Sequence, residues 1–116
     1  NNTTIGWWLS EADERTRNFM NTYLERDVRE INWRLMQIGM MSAAHTAIFP
    51  VQDVLNLGDE ARMNTPGIEQ GNWTWRITDD AFNHDGWNRL THYTGMYQRR
   101  PDQQEKTYGD VAVKKD

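Results

Sequence analysis

Thr46-Ala47-Ile48-Phe49-Pro50-Val51 is the stretch on which the fold turns. It is a short apolar run, β-branched in part, with Pro near its end, and it predicts one short, fully buried strand. Such strands belong to parallel sheets covered on both faces. No second run of comparable strength stands elsewhere in the chain. A buried strand needs neighbours for its backbone N–H and C=O groups, so the chain reads as part of something larger or as one copy of an assembly. The expected fold class is mostly α with one or two short strands.

Upstream of that run, two long helices are expected. Ser10 reads as an N-cap with Asp13 in the capping-box position, and Glu11, Asp13 and Glu14 suit the positive end of a helix. Phe19, Tyr23 and either Met20 or Leu24 supply an apolar stripe, which predicts a helix from Glu11 to Arg26. Asp27 is a second cap, with Glu30 at its N3 position, and a helix follows to about Ala44. It carries Ile31, Leu35, Ile38 and Ser42 on one face and Trp33, Met36 and Met40 beside them. An arc that broad predicts burial on more than one side.

Downstream, Gln52 to Leu57 predicts a short helical turn closed by Gly58, and residues 59–71 predict a loop with Thr65-Pro66-Gly67 as its turn. Asn72-Trp73-Thr74-Trp75-Arg76 is extended or irregular, and Thr78 caps a short helix through Phe82. After an interruption at Asp85-Gly86 a last helix runs to about Arg99, with Leu90, Tyr93 and Tyr97 on one face and Pro101 as its stop. Residues 1–100 form one unit, and residues 101–116 form a polar tail.

The chain has 116 residues and a formal net charge of -4, from 13 Lys+Arg against 17 Asp+Glu. A nucleic-acid surface needs a basic stripe, and the only basic runs, Arg99-Arg100 and Lys114-Lys115, read as solvated tail. Cysteine is absent, which excludes a disulfide framework and thiolate zinc and fits a reducing, cytoplasmic compartment. No apolar run reaches the ~20 residues of a membrane helix. The opening Asn1-Asn2-Thr3-Thr4 lacks a basic n-region and an apolar h-region, so the three glycosylation sequons, at Asn1, Asn2 and Asn72, read as chance matches. His45, His84 and His92 have no metal spacing, and no cofactor is expected. Six Trp is a high count; each either packs in the core or offers a flat face on which a sugar ring can stack.

The segments Val51-Gln52-Asp53-Val54-Leu55-Asn56-Leu57-Gly58, Glu60-Ala61-Arg62-Met63-Asn64-Thr65-Pro66-Gly67 and Gly71-Asn72-Trp73-Thr74-Trp75-Arg76 follow one another in an order that resembles the C-terminal signature of the 4-α-glucanotransferase (amylomaltase) family. The opening Asn1-Asn2-Thr3-Thr4-Ile5-Gly6-Trp7-Trp8 resembles the stretch beginning at the Asn of that family's His-Asp-Asn motif. The resemblance covers residues 1–76. It implies a (β/α)8 barrel that cuts α-1,4-glucans and passes the piece to a glucose or maltooligosaccharide acceptor with retention. Retention takes two closely placed carboxyl groups. In the family these lie upstream of the matched segments, and a third acid belongs to the His-Asp-Asn motif, so no catalytic carboxylate is expected here. The alternative, a catalytic role for Asp13, Asp53, Asp79 or Asp80 alone, competes with caps and solvated loops. In the implied barrel the two long helices are the seventh crossover, Thr46 to Val51 is strand eight, and the last helix is helix eight. Residues 52–76 then form a loop on the face where such barrels place their sites.

Five residues are the candidate substrate contacts. Gln52 and Asp53 shape the site floor by resemblance, while Asp53 equally suits a cap on the turn after it. Asn64 has an amide that can donate to and accept from a hydroxyl pair. Pro66 and Gly67 fix its loop, Gly through positive φ or close approach. Arg62 fits either a site carboxylate or a structural ion pair. Trp73 and Trp75 point in opposite directions if the stretch is extended, and packing is the expectation for both. Two other readings stay open: a non-catalytic glucan-binding module using Trp and Asn64, and a helical module whose apolar faces drive self-association.

Overall fold

The computed structural model describes residues 2–24 and 29–103. Thr3 caps the first helix, α1 (Thr4–Gly6), by accepting from Gly6 N at 3.1 Å. The backbone then widens into a π-type turn over Trp7–Glu11, closed by Ala12 N donating to Trp7 O at 2.8 Å. Ser10 is not the cap of the next helix. Its hydroxyl donates to Gly6 O at 2.6 Å, and Asp13 caps α2 (Glu14–Tyr23) instead, accepting from Thr16 N at 2.7 Å. The Arg17 guanidinium collects the carbonyls of Trp8, Leu9 and Ala12 and lies over the Trp8 ring, which ties the π turn to α2.

Helix α3 (Ile31–Met41) is the centre of the fold. Ile31, with Trp8 and Leu24, forms one buried cluster, against which Met20, Leu35 and Ile38 pack. Trp33 and Met36 form a second cluster with Val54, joined by Phe49, Trp87, Leu90 and Tyr93. The broad apolar arc is therefore spent on two separate neighbours. Glu30 precedes α3 but does not cap it; its carboxylate takes both terminal nitrogens of Arg89, at 2.9 and 2.7 Å. The Asp27 cap expected before it lies outside the described residues, as do Asn1, Lys114-Lys115 and the tail from 104 onward. Within the expected tail, residues 101–103 are helical, and Gln103 Nε2 donates to Gly95 O at 3.1 Å.

The strand expected at Thr46–Val51 is not formed. Residues 46–50 are neither helix nor strand, Val51 opens a helix, and no β-strand occurs among the described residues. Ile48 is 87% exposed. A lone strand has no ladder partner, so its backbone groups gain nothing over hydration, and only Ala47 and Phe49 of the run are drawn partly inward. The Phe49 ring packs where a Cβ on Gly39 would come within 3.1 Å. Beside this run an open groove of about 420 Å³ separates it from the last helix.

Helix α4 (Val51–Val54) and helix α5 (Gly86–Met96) pack on α3 and on each other. Both end the same way. Leu57 N donates to Gln52 O and Asn56 N to Asp53 O, with Asn56 at φ 55°; Arg99 N donates to Thr94 O and Gln98 N to Gly95 O, with Gln98 at φ 56°. These are Schellman ends with a non-glycine residue in the left-handed position. Gly58 and Pro101, the expected stops, lie beyond the true ends. Arg99 is not solvated tail: its guanidinium donates to Met40 O, Ser42 O and His45 O at 3.1–3.2 Å, capping the C-terminus of α3.

Candidate functional site

The opening segment meets the Val51–Gly58 segment and Asp59 in space. Thr4 N donates to Asp53 Oδ1 at 2.8 Å and Thr4 Oγ1 to Asp53 Oδ2 at 2.6 Å. Asn2 Nδ2 donates to the Asp59 carboxylate and to Glu11 Oε1. A Cβ on Gly6 would stand 2.6 Å from both Asn2 Oδ1 and Asp59 Oδ1, so only glycine lets these groups close up.

Gln52 and Asp53 are buried, at 8% and 7% exposure. Gln52 Nε2 donates to the carbonyl of the fully buried Ala61 at 3.2 Å. Asp53 caps α1 across the fold rather than its own turn, and its backbone carbonyl accepts from the buried Asn32 amide at 2.7 Å. The described contacts of both side chains are therefore structural: they hold the opening segment and the loop base to α4, which the Asn32 bond ties to α3.

From that base the chain forms a closed loop. Trp73 N donates to Met63 O at 2.6 Å and joins its two ends. Pro66 and Gly67 are the central residues of a turn in which Ile68 N donates to Thr65 O at 3.3 Å, with Gly67 at φ 82°. That is the type II pattern, with Pro at the first central position and Gly at the second. Nothing lies within 4 Å of a Cβ built on Gly67, so its positive φ, not close approach, is what calls for glycine. Asn72 was missed as a support. Its Oδ1 accepts from Thr65 N at 2.8 Å and its Nδ2 donates to Ile68 O at 2.8 Å, so one side chain clamps the turn.

Asn64 sits half-buried at the base of this loop. Its backbone carbonyl accepts from Arg62 Nε at 2.9 Å, and Arg62 Nη1 is 2.6 Å from Glu11 Oε1. The Arg62 alternatives thus resolve to an ion pair, with Glu11, that also steadies Asn64. Trp73 does not pack: it is 63% exposed at φ 60°, while Trp75 is half-buried. Arg76 Nη1 donates to the carbonyls of both, at 3.0 and 2.9 Å.

The loop presents an amide, an exposed Ile68 and an exposed indole, a mixed surface suited to a ligand with both hydroxyl groups and an apolar face. Among the described residues no group of three or more His, Cys, Asp or Glu is arranged to hold a metal. His84 Nδ1 accepts from Gly86 N at 2.9 Å and serves the start of α5. Among the described residues two carboxyl groups are shifted, both downward: Asp13 by its hydrogen bonds from Thr16, and Glu30 by those from Arg89. A general acid needs the opposite shift.

The sequence profile of the 4-alpha-glucanotransferase family matches residues 1–82. The chain is 48% identical to the 4-alpha-glucanotransferase of Thermus thermophilus over 83 residues, which are 66% of this chain and 16% of that protein. It is 40% identical to the 4-alpha-glucanotransferase of Synechocystis over 101 residues, 86% of this chain and 20% of that protein. With the chloroplastic/amyloplastic 4-alpha-glucanotransferase of Arabidopsis thaliana it shares 44% identity over 77 residues, 66% of this chain and 13% of the plant protein. The chain thus spans a fifth or less of these relatives' length.

Proposed function

We propose, from the premise that this chain belongs to the 4-alpha-glucanotransferase family, that it supplies the C-terminal part of an enzyme that moves α-1,4-glucan segments onto a glucose or maltooligosaccharide acceptor. Its share of the work is to hold substrate with the Met63–Trp73 loop. The carrying observation is the closure of Asn2 and Thr4 onto Asp59 and Asp53. Two segments far apart in sequence, both within the family match, thereby build one base, and the loop bearing Asn64 rises from it.

In the whole enzyme, α2 and α3 are the crossover before the eighth strand of a (β/α)8 barrel. Residues 46–51, which form no strand in this chain, would pair there as that strand, and residues 52–76 would follow it on the face where barrel enzymes react. The 87% exposure of Ile48 supports this, because the run carries a side chain that a barrel neighbour would cover. Transfer with retention takes a nucleophilic carboxylate and a general acid, about 5 Å apart. The described carboxylates with partners serve structure: Asp53 and Asp13 cap helices, Glu11, Glu30 and Asp102 pair with arginines, Asp59 accepts from Asn2, and Glu60 accepts from Gly58 N. The chain alone therefore binds or positions sugar without turning it over. Purified chain incubated with maltotriose should give no longer or shorter maltooligosaccharides, and joining it to the upstream part of a family member should give them. Disproportionation by the chain alone would overturn this reading.

A second property follows from the surface. Phe19 and Tyr23 are each 64% exposed and stack on one another, and Ile48 is nearly bare. These residues favour self-association of the isolated chain. Sedimentation should show a species heavier than 13.7 kDa; a monomer at all concentrations would oppose it.

A further inference from the structure

Trp73 is held in a conformation that its own side chain disfavours. At φ 60° it occupies the left-handed region, which is costly for a bulky residue. The loop imposes this on both sides: Trp73 N is tied to Met63 O at 2.6 Å and Trp73 O to Arg76 Nη1 at 3.0 Å. Within this chain the return for the strain is not packing, because 63% of the residue faces solvent. Two glycines at positive φ in the same loop, Gly67 and Gly71, show what this backbone takes where no side chain is wanted. A tryptophan fixed in that state with its indole in water is prepared for a ligand.

We propose that Trp73 is a substrate-stacking residue, whose indole receives the apolar face of a glucose unit in the same α-1,4-glucan whose hydroxyls Asn64 engages. The proposal rests on the glucan-binding reading of this loop. Three features fit that occupant. The bond to Met63 O places Trp73 beside the neighbour of Asn64. Ile68, 54% exposed on the same loop, adds apolar surface. A pyranose ring offers C–H groups on a face and hydroxyls at its rim, so one indole and one amide recognise different parts of it. Trp73 touches no reacting bond in this scheme and acts through affinity and register of the chain.

Maltoheptaose titrated into the chain by calorimetry, with Trp emission followed in parallel, tests this. Trp73→Gly keeps the positive φ without strain and so preserves the loop; it should bind about tenfold more weakly. Trp73→Phe keeps an aromatic face and should retain most of the affinity while losing most of the emission change. Asn64→Ala should also weaken binding. If the parent chain binds, Asn64→Ala weakens it and Trp73→Gly does not, the stacking role is wrong and the glucan reading stands. Absence of binding to the parent chain overturns both.

Discussion

Arg62 stands between Glu11 and Asn64, 2.6 Å from the carboxylate of the first through Nη1 and 2.9 Å from the backbone carbonyl of the second through Nε. The π-type turn that ends at Glu11 and the loop that bears Asn64 are thereby joined by one guanidinium.

Arg62→Ala should loosen that loop without unfolding the chain. The pair is partly exposed, so its Coulomb part is worth at most about 1 kcal/mol, and the lost hydrogen bond to Asn64 O adds about 1 kcal/mol. Glu11→Gln keeps an acceptor for Arg62 and should cost less. Limited proteolysis within residues 63–73 should rank Arg62→Ala fastest, then Glu11→Gln, then the parent chain. Equal rates would remove Arg62 from this role.

Gly6→Ala tests the closure of the opening segment. A methyl would meet Asn2 Oδ1 and Asp59 Oδ1 at 2.6 Å and Thr3 Oγ1 at 2.9 Å. Overpacking of this kind costs about 1–3 kcal/mol, and the urea midpoint should fall accordingly. Gly86→Ala should be worse, because its Cβ would collide with the Val54 backbone carbonyl, which cannot swing aside.

The pairing of Glu30 with Arg89 makes stability depend on acid. The hydrogen bonds from Arg89 hold the Glu30 carboxyl below its ordinary 4.5. A depressed folded-state pKa contributes stability that is fully present above the unfolded value and fades as pH falls through the folded one. The difference in urea midpoint between the parent chain and Glu30→Gln should therefore be constant at neutral pH and shrink below about pH 4.5. A gap that widened on acidification would show that the pair is not the source.

Arg99→Ala should fray the end of α3. Three carbonyls, of Met40, Ser42 and His45, lose one shared donor, and a cation leaves the negative end of the helix. A loss of about 1–2 kcal/mol is expected. Arg99→Lys should recover only part of it, since an ammonium cannot span three acceptors with a planar fork. Faster amide exchange at Met40 and Met41 than in the parent chain would report the fraying.

Much of the helical order was legible because periodicity and cap chemistry are local. Asp13 is a cap residue by type, and the breadth of the α3 arc already called for two neighbours. The misplaced boundaries share a cause. Ser10, Gly58 and Pro101 are strong signals by residue type, yet Asp13, Asn56 and Gln98 took the positions because side-chain and backbone partners nearby decided them. The strand at Thr46–Val51 failed for another reason: its composition reports what the run would do with neighbours, and the described residues provide none. In the candidate site, Pro66 and Gly67 were readable as a turn from their sequence. The roles of Gln52 and Asp53 were not, because their partners, Ala61 and Thr4, are fixed only by tertiary closure.

Helix α3 belongs to both apolar clusters, through Ile31 on one flank and through Trp33 and Met36 on the other. Neither half of the chain owns a nucleus independent of it. A cavity cut at Met36 is therefore felt in both clusters, and the two should melt together. Whatever ligand steadies the loop would, through Arg62 and Glu11, also slow the opening of the Trp8 cluster.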